Sequence, residues 1–266
     1  MFRFKHPIHR WNPVSKSGCR KDGISVFGLA AALFVIVAAA GALPPAAAGQ
    51  NGQSDAVSAA GLLQQARKNR EVFTKDFHGF RSNLTVRLDG KAHHGTCLFR
   101  VPGTLEIALN GGKAPPVVEA AVRNMLMHRV PSSTSVTTEA RYGKPDAHSL
   151  GRKVLLDDKY QSAYRIKDRQ ILQVDRTMPE FRRVLTVLET RTAASGKYLP
   201  RHVFAVVVDN DSGAIREAWT YITRFQEFGS NYLPHSRHVI RTGKGRTSTL
   251  LIEWHDIELL KEASDG

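Results

Sequence analysis

Apolar and polar residues alternate with a period of two along most of the chain after residue 152. The clearest stretch is Ile215–Phe225, where three aromatic side chains fall on one face: Trp219, Tyr221 and Phe225. A period of two indicates a β-strand with one buried face. Short turns such as Asp209–Gly213 separate the alternating segments, and short connections favour antiparallel neighbours. The second half of the chain is therefore predicted to be an antiparallel sheet with an aromatic-rich face.

Two earlier stretches have a helical pattern instead. The first is Asp55–Phe73, with Ser54 as its N-cap and an apolar stripe of Val57, Ala60, Leu63 and Ala66. The second is Pro116–Arg129, which starts with the proline that favours a first helical position. We therefore predict an α+β fold that is mostly β. It is a strongly curved antiparallel sheet, a half-barrel, with an N-terminal helix and a central helix that closes one side.

The N-terminus has the pattern of an export signal. A basic segment precedes the apolar run Ile24–Ala42, and small residues at Ala46 and Ala48 predict cleavage before Gly49. The run is also long enough to be an uncleaved membrane anchor. The cleavage site and the preceding proline pair favour a signal peptide over residues 1–48. A linker (49–54), a single curved-sheet domain (55–261) and a tail (262–266) follow, in a protein exported to the periplasm or cell envelope.

The charge is strongly positive, at +14 for the whole chain. Residues 1–48 contain six Lys or Arg and one Asp, so +9 remains in the rest. A basic surface favours anionic partners, although dispersed solvated side chains give the same total. We expect a lipid or an anionic envelope component as partner, and no nucleic acid. Membrane contact is expected only through an uncleaved N-terminal segment. Cys19 and Cys97 are the two cysteines, so removal of the signal leaves no internal disulfide.

Sequence motifs for catalysis are missing. The chain contains no G-x-S-x-G, H-E-x-x-H or phosphate-binding glycine loop, and its histidines lack zinc spacing. Asp209–Gly213 resembles the start of a calcium loop but lacks the terminal bidentate acid, so a hairpin turn explains it better. Cys97 is expected to be a small core residue. We predict no catalytic residue, cofactor or metal site.

Two sets of residues are candidates for ligand binding. Trp219, Tyr221 and Phe225 would form a cavity wall, although aromatic residues on one strand face also suit a filled core. The stretch Leu233–Arg241 would form a cationic rim through His235, Arg237 and Arg241. The alternative for the rim is the solvated face of an edge strand, which Pro234 would suit.

Several short motifs occur in an order that is similar to a known family. They are Phe77-His-Gly-Phe80, Met127-His-Arg-Val130 and Leu233-Pro-His-Ser-Arg237. In these the chain resembles a bacterial and plastid family of unknown function, DUF3386, over about residues 55–260. The resemblance implies no activity, because none is established for the family. More distantly, the order of elements resembles the half-barrel of periplasmic lipoprotein carriers, in pattern and not in residues.

Together these features favour an exported, non-enzymatic protein that binds a lipid or another amphiphilic or anionic ligand. An apolar groove with basic residues at its mouth would suit such a ligand. One alternative is an exported hydrolase with a His/carboxylate site in the same cavity. Another is an envelope structural protein that binds an acidic polymer.

Overall fold

The computed structural model describes residues 57–131 and 138–262. Within these residues the elements, in chain order, are α1 Ala59–Lys68, β1 Gly79–Leu88, β2 Lys91–Arg100, β3 Thr104–Leu109, β4 Gly112–Lys113, α2 Pro116–Met127, β5 Ala140–Tyr142, β6 Arg152–Leu156, β7 Ala163–Lys167, β8 Gln170–Thr177, β9 Phe181–Thr192, β10 Tyr198–Asp209, β11 Ile215–Phe228, β12 Asn231–Gly243 and β13 Arg246–Leu259.

All the described strands belong to one curved antiparallel sheet. Its order is β4-β3-β2-β1-β13-β12-β11-β10-β9-β8-β7-β6-β5. Each strand pairs with its neighbour in sequence, except where β1 pairs with β13 and brings the two ends of the domain together. The short strands β4 and β5 form the two free edges, so the sheet does not close into a barrel. The predicted fold class, mostly β with two helices and a curved antiparallel sheet, is confirmed.

The first helix is shorter than predicted. It begins at Ala59, because the Ser58 hydroxyl accepts a hydrogen bond from the Gly61 amide at 3.0 Å and caps the helix. It ends at Lys68 rather than Phe73, because the chain then pairs with the start of β10. Its buried side chains are Ala59, Leu63 and Ala66; of the predicted stripe, Ala60 is exposed and Val57 is 44% exposed. The predicted cap Ser54 lies outside the described residues.

The second helix agrees closely with its prediction. It begins at Pro116, ends at Met127, and packs its Val118, Val122 and Leu126 into the main core. The other residues of this core lie mainly on β1, β2, β3, β12 and β13 and in the segment Phe73–Phe77. The segment before this helix, residues 110–115, contains the short strand β4. Cys97 is 1% exposed in this core, as expected for a small core residue.

The two helices cover different parts of one sheet face, which we call the inner face. α1 packs on Val154, Tyr164 and Ile166 of β6 and β7. In the strand register Tyr164 is aligned with Val174, Leu185, Ala205 and Trp219, so these side chains share the inner face. Trp219 packs against the core that contains α2, which places both helices on the same side. This geometry leaves the inner face of β9, β10 and β11 between them.

The predicted signal peptide (1–48), the linker (49–54) and most of the tail lie outside the described residues. Among the described residues, neither helix has the length and apolar character needed to cross a membrane.

Candidate ligand-binding groove

The strip of inner face between the helices has an aliphatic and aromatic wall. Leu185 and Val187 of β9 and Val203 of β10 point to this face and are half-buried, whereas Ala205 beside them is fully buried. Trp219 and Tyr221 continue the wall on β11, because they pair with Ala205 and Val203. We call this strip of β9–β11, with the residues that border it, the groove.

Aromatic rings and guanidinium groups stack in a row along one side of the groove. The rings of Trp219 and Tyr221 are 6.0 Å apart and nearly parallel, at 4°. The Arg241 guanidinium lies 4.9 Å from the Trp219 ring, and the Arg237 guanidinium lies 4.7 Å from the Tyr221 ring. Stacking of this kind stabilises a cation on the face of a ring. The order along the row is therefore Arg241, Trp219, Tyr221 and Arg237, with both rings on β11 and both cations on β12.

The two arginines of the row have different surroundings. Arg241 is paired with Glu217, which also accepts a hydrogen bond from the Trp219 indole at 3.2 Å. Arg237 is 8% exposed and donates to the Thr223 hydroxyl at 2.7 Å, and it is in no ion pair with a described carboxylate. Its Nε is buried without a partner among the described residues. Burial lowers the pKa of Arg237 to about 10, so the side chain stays charged at neutral pH.

A second buried arginine follows α2 directly. Arg129 is 4% exposed, and its guanidinium lies 4.4 Å from the Phe73 ring and 5.3 Å from the Phe225 ring. It donates to the Tyr232 carbonyl, while its Nε and one Nη are buried without a described partner. Burial lowers its pKa to about 9, and the nearby Glu71 opposes that shift. Arg129 therefore has the same character as Arg237, a desolvated cation held between aromatic rings.

His128, the C-cap of α2, lies within a field of positive charge. Its side chain is solvent-accessible, yet its pKa is lowered to about 4. Desolvation by the surrounding protein is the main cause, and four arginines add to it: Arg70, Arg176, Arg183 and Arg237. His128 therefore lies within electrostatic reach of arginines from four separate parts of the chain.

The arginines around His128 come from separate parts of the chain. Arg176 on β8 and Arg183 on β9 are directly paired across the two strands. Arg183 also lies beside the Tyr221 hydroxyl, where it and Arg237 oppose the rise in the pKa of Tyr221 that burial causes. Arg70 follows α1 and has a buried Nε without a described partner. The four arginines therefore come from one pair of neighbouring strands, from the distant strand β12 and from the segment after α1.

The described residues contain seven Arg–carboxylate ion pairs, and Arg70, Arg129, Arg176, Arg183 and Arg237 are in none of them. Two of these five, Arg129 and Arg237, are buried. A buried charge without a partner is costly, and such costs are concentrated at functional sites. The groove is therefore suited to an anion that brings its own negative charge.

Sequence comparison assigns the chain to a family. Residues 54–260 match the family described as a protein of unknown function, DUF3386. The chain belongs to the DUF3386 family. No curated protein matches this DUF3386 chain in sequence.

Two solved structures are similar to the DUF3386 chain at low identity. One is a candidate outer membrane lipoprotein-sorting protein domain from Vibrio parahaemolyticus, at 10% identity and a TM-score of 0.33, covering 76% of this chain and 93% of that one. The other is MucB in complex with MucA(peri), at 9% identity and a TM-score of 0.15, covering 76% and 97%. At these TM-scores neither likeness carries an argument about fold or function.

The structure separates the six predicted site residues of the DUF3386 chain into two places. Trp219, Tyr221, Arg237 and Arg241 form the row in the groove, so part of the predicted wall and part of the predicted rim are one surface. Phe225 and His235 line another cleft of about 500 Å³ together with Arg191, Arg201, Arg224 and Gln226. The register shifts where Arg224 and Phe225 pair with β12, so His235 has no paired residue on β11 and is exposed.

Sequence reasoning missed the residues around His128. His128 and Arg129 were noticed only as part of a family motif, and Arg70 was not among the candidates. Arg183 carried a detectable signal, because it shares a strand face with Leu185 and Val187 and interrupts an apolar pattern. The described residues contain no group of three or more His, Cys, Asp or Glu that could hold a metal ion.

Proposed function

We propose that this protein is exported to the cell envelope and binds an amphiphilic ligand with an anionic head group in the groove, without catalysing a reaction. The observation that carries the proposal is the group of arginines that lack carboxylate partners beside an apolar wall. An anionic head would offset the cost of the buried charges, and an acyl or alkyl chain would cover Leu185, Val187 and Val203. Binding sites of this kind are mostly apolar with a few well-placed polar groups.

The apolar half of the proposal is tested by a charge placed on the wall. In Leu185→Glu the new carboxylate lies on the inner face of β9, where it would occupy the path of an alkyl chain. Leu188→Glu is the matched control, because Leu188 lies on the same strand and is already 56% exposed. The probes are dodecanoate and dodecyl phosphate, titrated calorimetrically below their critical micelle concentrations. We expect Leu185→Glu to weaken both affinities by at least about tenfold, or about 1.4 kcal/mol. Leu188→Glu should leave them within about twofold.

Thermal melting of both variants separates damage to the groove from damage to the fold. A Leu185→Glu protein that melts like the parent and still binds both probes with full affinity contradicts the proposal. So does a parent protein that binds neither probe.

The natural ligand and the export are tested together on protein extracted from its own host. Native mass spectrometry should give a chain that begins at Gly49, with a co-purifying amphiphile that dissociates on activation. A chain that retains residues 1–48 in the cytosolic fraction would contradict export, and a metal adduct in place of an amphiphile would favour the hydrolase alternative.

A further inference from the structure

The arginines of the groove carry more positive charge than a carboxylate head group would balance. Arg176, Arg183 and Arg237 lie on three strands of the inner face, all three act on the pKa of His128, and none is in an ion pair with a described carboxylate. A carboxylate brings a single negative charge. A phosphate monoester carries about −1.5 to −2 near neutral pH and offers three strong acceptor oxygens. The charge balance at this place therefore favours a phosphate.

The donors are of the kind that phosphate recognition uses. A guanidinium is planar and presents parallel N–H groups that match a phosphate in a bidentate manner. The Nε atoms of Arg183 and Arg237 are buried without a described hydrogen-bond partner. Arg176 and Arg183 are directly paired across β8 and β9, which brings their Cα atoms to about 4.5–5.5 Å. Two arginines with Cα atoms that close can both reach one tetrahedral anion. In the structure described, Arg176 donates to the Tyr164 hydroxyl at 3.5 Å, and the anion would take the place of this contact.

We propose that the head group of the ligand is a phosphate, held by Arg176, Arg183 and Arg237 with His128 beside it. The inference rests on the proposed function, because it identifies the head group of the same ligand. A free phosphate or a small phosphate ester would use the same donors as a phospholipid or an alkyl phosphate. The proposal therefore assigns the head group as a phosphate, and the experiment below decides whether an amphiphile or a small molecule carries it.

Binding of the phosphate should be coupled to protonation of His128. The charged groups that act on its ring come from four separate parts of the chain: Arg70 after α1, Arg176 on β8, Arg183 on β9 and Arg237 on β12. Their positive field and desolvation keep the ring neutral at pH 7. A bound phosphate would cancel part of that field, so the pKa of His128 should rise and the ring should become a donor to the anion. The Arg129 that follows it is held instead between Phe73 and Phe225.

The test compares head groups on the same alkyl chain. Dodecyl phosphate, dodecanoate, butyl phosphate and inorganic phosphate are titrated into the full chain by calorimetry at pH 7, below the critical micelle concentrations. Arg183→Gln removes a groove cation. Arg182→Gln is its matched control, because Arg182 is the adjacent residue on the opposite face and is paired with Asp175.

The parent should bind dodecyl phosphate at least about tenfold more tightly than dodecanoate. Arg183→Gln should reduce that preference to within about threefold, while Arg182→Gln should keep it. Equal binding of both dodecyl probes by the parent would overturn the phosphate assignment and leave the proposed function standing. Inorganic phosphate or butyl phosphate that binds as tightly as dodecyl phosphate would support the phosphate receptor and contradict the amphiphile. Binding of none of the probes would overturn both.

The change in the pKa of His128 on ligand binding can be measured by NMR titration of the ring. A purely structural role of Arg183 would not produce such a change. In the parent the ring should titrate with a pKa of about 4, and the signal is assigned by its loss in His128→Gln. Saturation with dodecyl phosphate should raise that pKa by at least about one unit, a tenfold change in proton affinity. A pKa that stays the same with and without bound dodecyl phosphate would place the anion away from His128 and overturn the assignment.

Discussion

Replacing Arg237 by methionine should make the protein more stable and weaken its binding. Burial lowers the pKa of Arg237 from its ordinary value to about 10. At about 1.4 kcal/mol for each pKa unit, the folded protein holds the charged side chain at a cost of roughly 3 kcal/mol. Because the group is protonated at neutral pH in both the folded and unfolded states, that cost is present throughout the range below about pH 10.

The substitution also removes two favourable contacts of Arg237, which reduces the gain in stability. The hydrogen bond to Thr223 contributes about 1 kcal/mol, and the stacking on Tyr221 contributes about 1–2 kcal/mol at a desolvated site. A methionine sulfur recovers part of the ring contact. The free energy of unfolding should therefore rise by about 1–2 kcal/mol in Arg237→Met, which corresponds to a melting temperature about 2–8 °C higher for a domain of this size.

The assay is urea unfolding followed by circular dichroism, with the slope m used to check that the unfolded state is unchanged. Arg241→Met is the matched control. Arg241 lies on the same strand and stacks on Trp219, but it is exposed and paired with Glu217, so its replacement should change the free energy of unfolding by less than about 1 kcal/mol.

A decrease in the free energy of unfolding of Arg237→Met would contradict this prediction. If Arg237→Met loses more than about 1 kcal/mol at an unchanged m, Arg237 is a structural cation whose contacts outweigh its desolvation. If Arg237→Met is more stable and binds dodecyl phosphate as well as the parent, the buried charge is not retained for this ligand.

Two further predictions concern the sheet that holds the groove. Cys97 is 1% exposed, and burial raises the pKa of its thiol to about 12. In a Cys19→Ser background the folded protein should therefore not react with a disulfide reagent at pH 8. Fast reaction before unfolding would contradict this burial. In β2, a Cβ at Gly95 would lie 1.8 Å from a carbonyl oxygen of β3, so Gly95→Ala should lower the free energy of unfolding by more than about 2 kcal/mol, whereas Gly112→Ala should stay within about 0.5 kcal/mol. Equal urea midpoints for the two alanine variants would show that β2 and β3 are not paired so closely.

The sheet could be predicted from sequence because its signals are local. Alternation of apolar and polar residues determines which face of a strand is buried, and turns such as Asp89-Gly90 determine where the strand reverses. The start of α1 was misplaced because Ser54 and Ser58 are both acceptable caps, and the helical pattern continued past Lys68. Tertiary pairing ended that helix, since the residue after Asn69 bridges to Tyr198.

The groove could be predicted only in part, because its arginines come from strands that are far apart in sequence. Trp219 and Tyr221 followed from the alternation on β11. Arg176, Arg183 and Arg237 are far apart in sequence, and no local pattern gives the distance between them across a curved sheet. What the sequence did contain was an anomaly: each of these arginines lies on the same strand face as apolar neighbours. A charged residue on a buried face is costly without a partner, so such positions indicate a site even when its geometry is unknown.

The position of the carboxylates gives the ligand an orientation in the groove. At one end of the stacked row Arg241 is already neutralised by Glu217. At the other end Arg237 has only a hydroxyl as its polar partner, and the other arginines that act on His128 are in no ion pair with a described carboxylate. An anionic head gains most free energy where no carboxylate competes for the guanidinium, so it should lie beside Arg237 and Arg183. The alkyl chain then has the apolar wall of β9 and β10 to cover. The same unbalanced charge that lowers the stability of the empty domain would thus determine which way round the ligand binds.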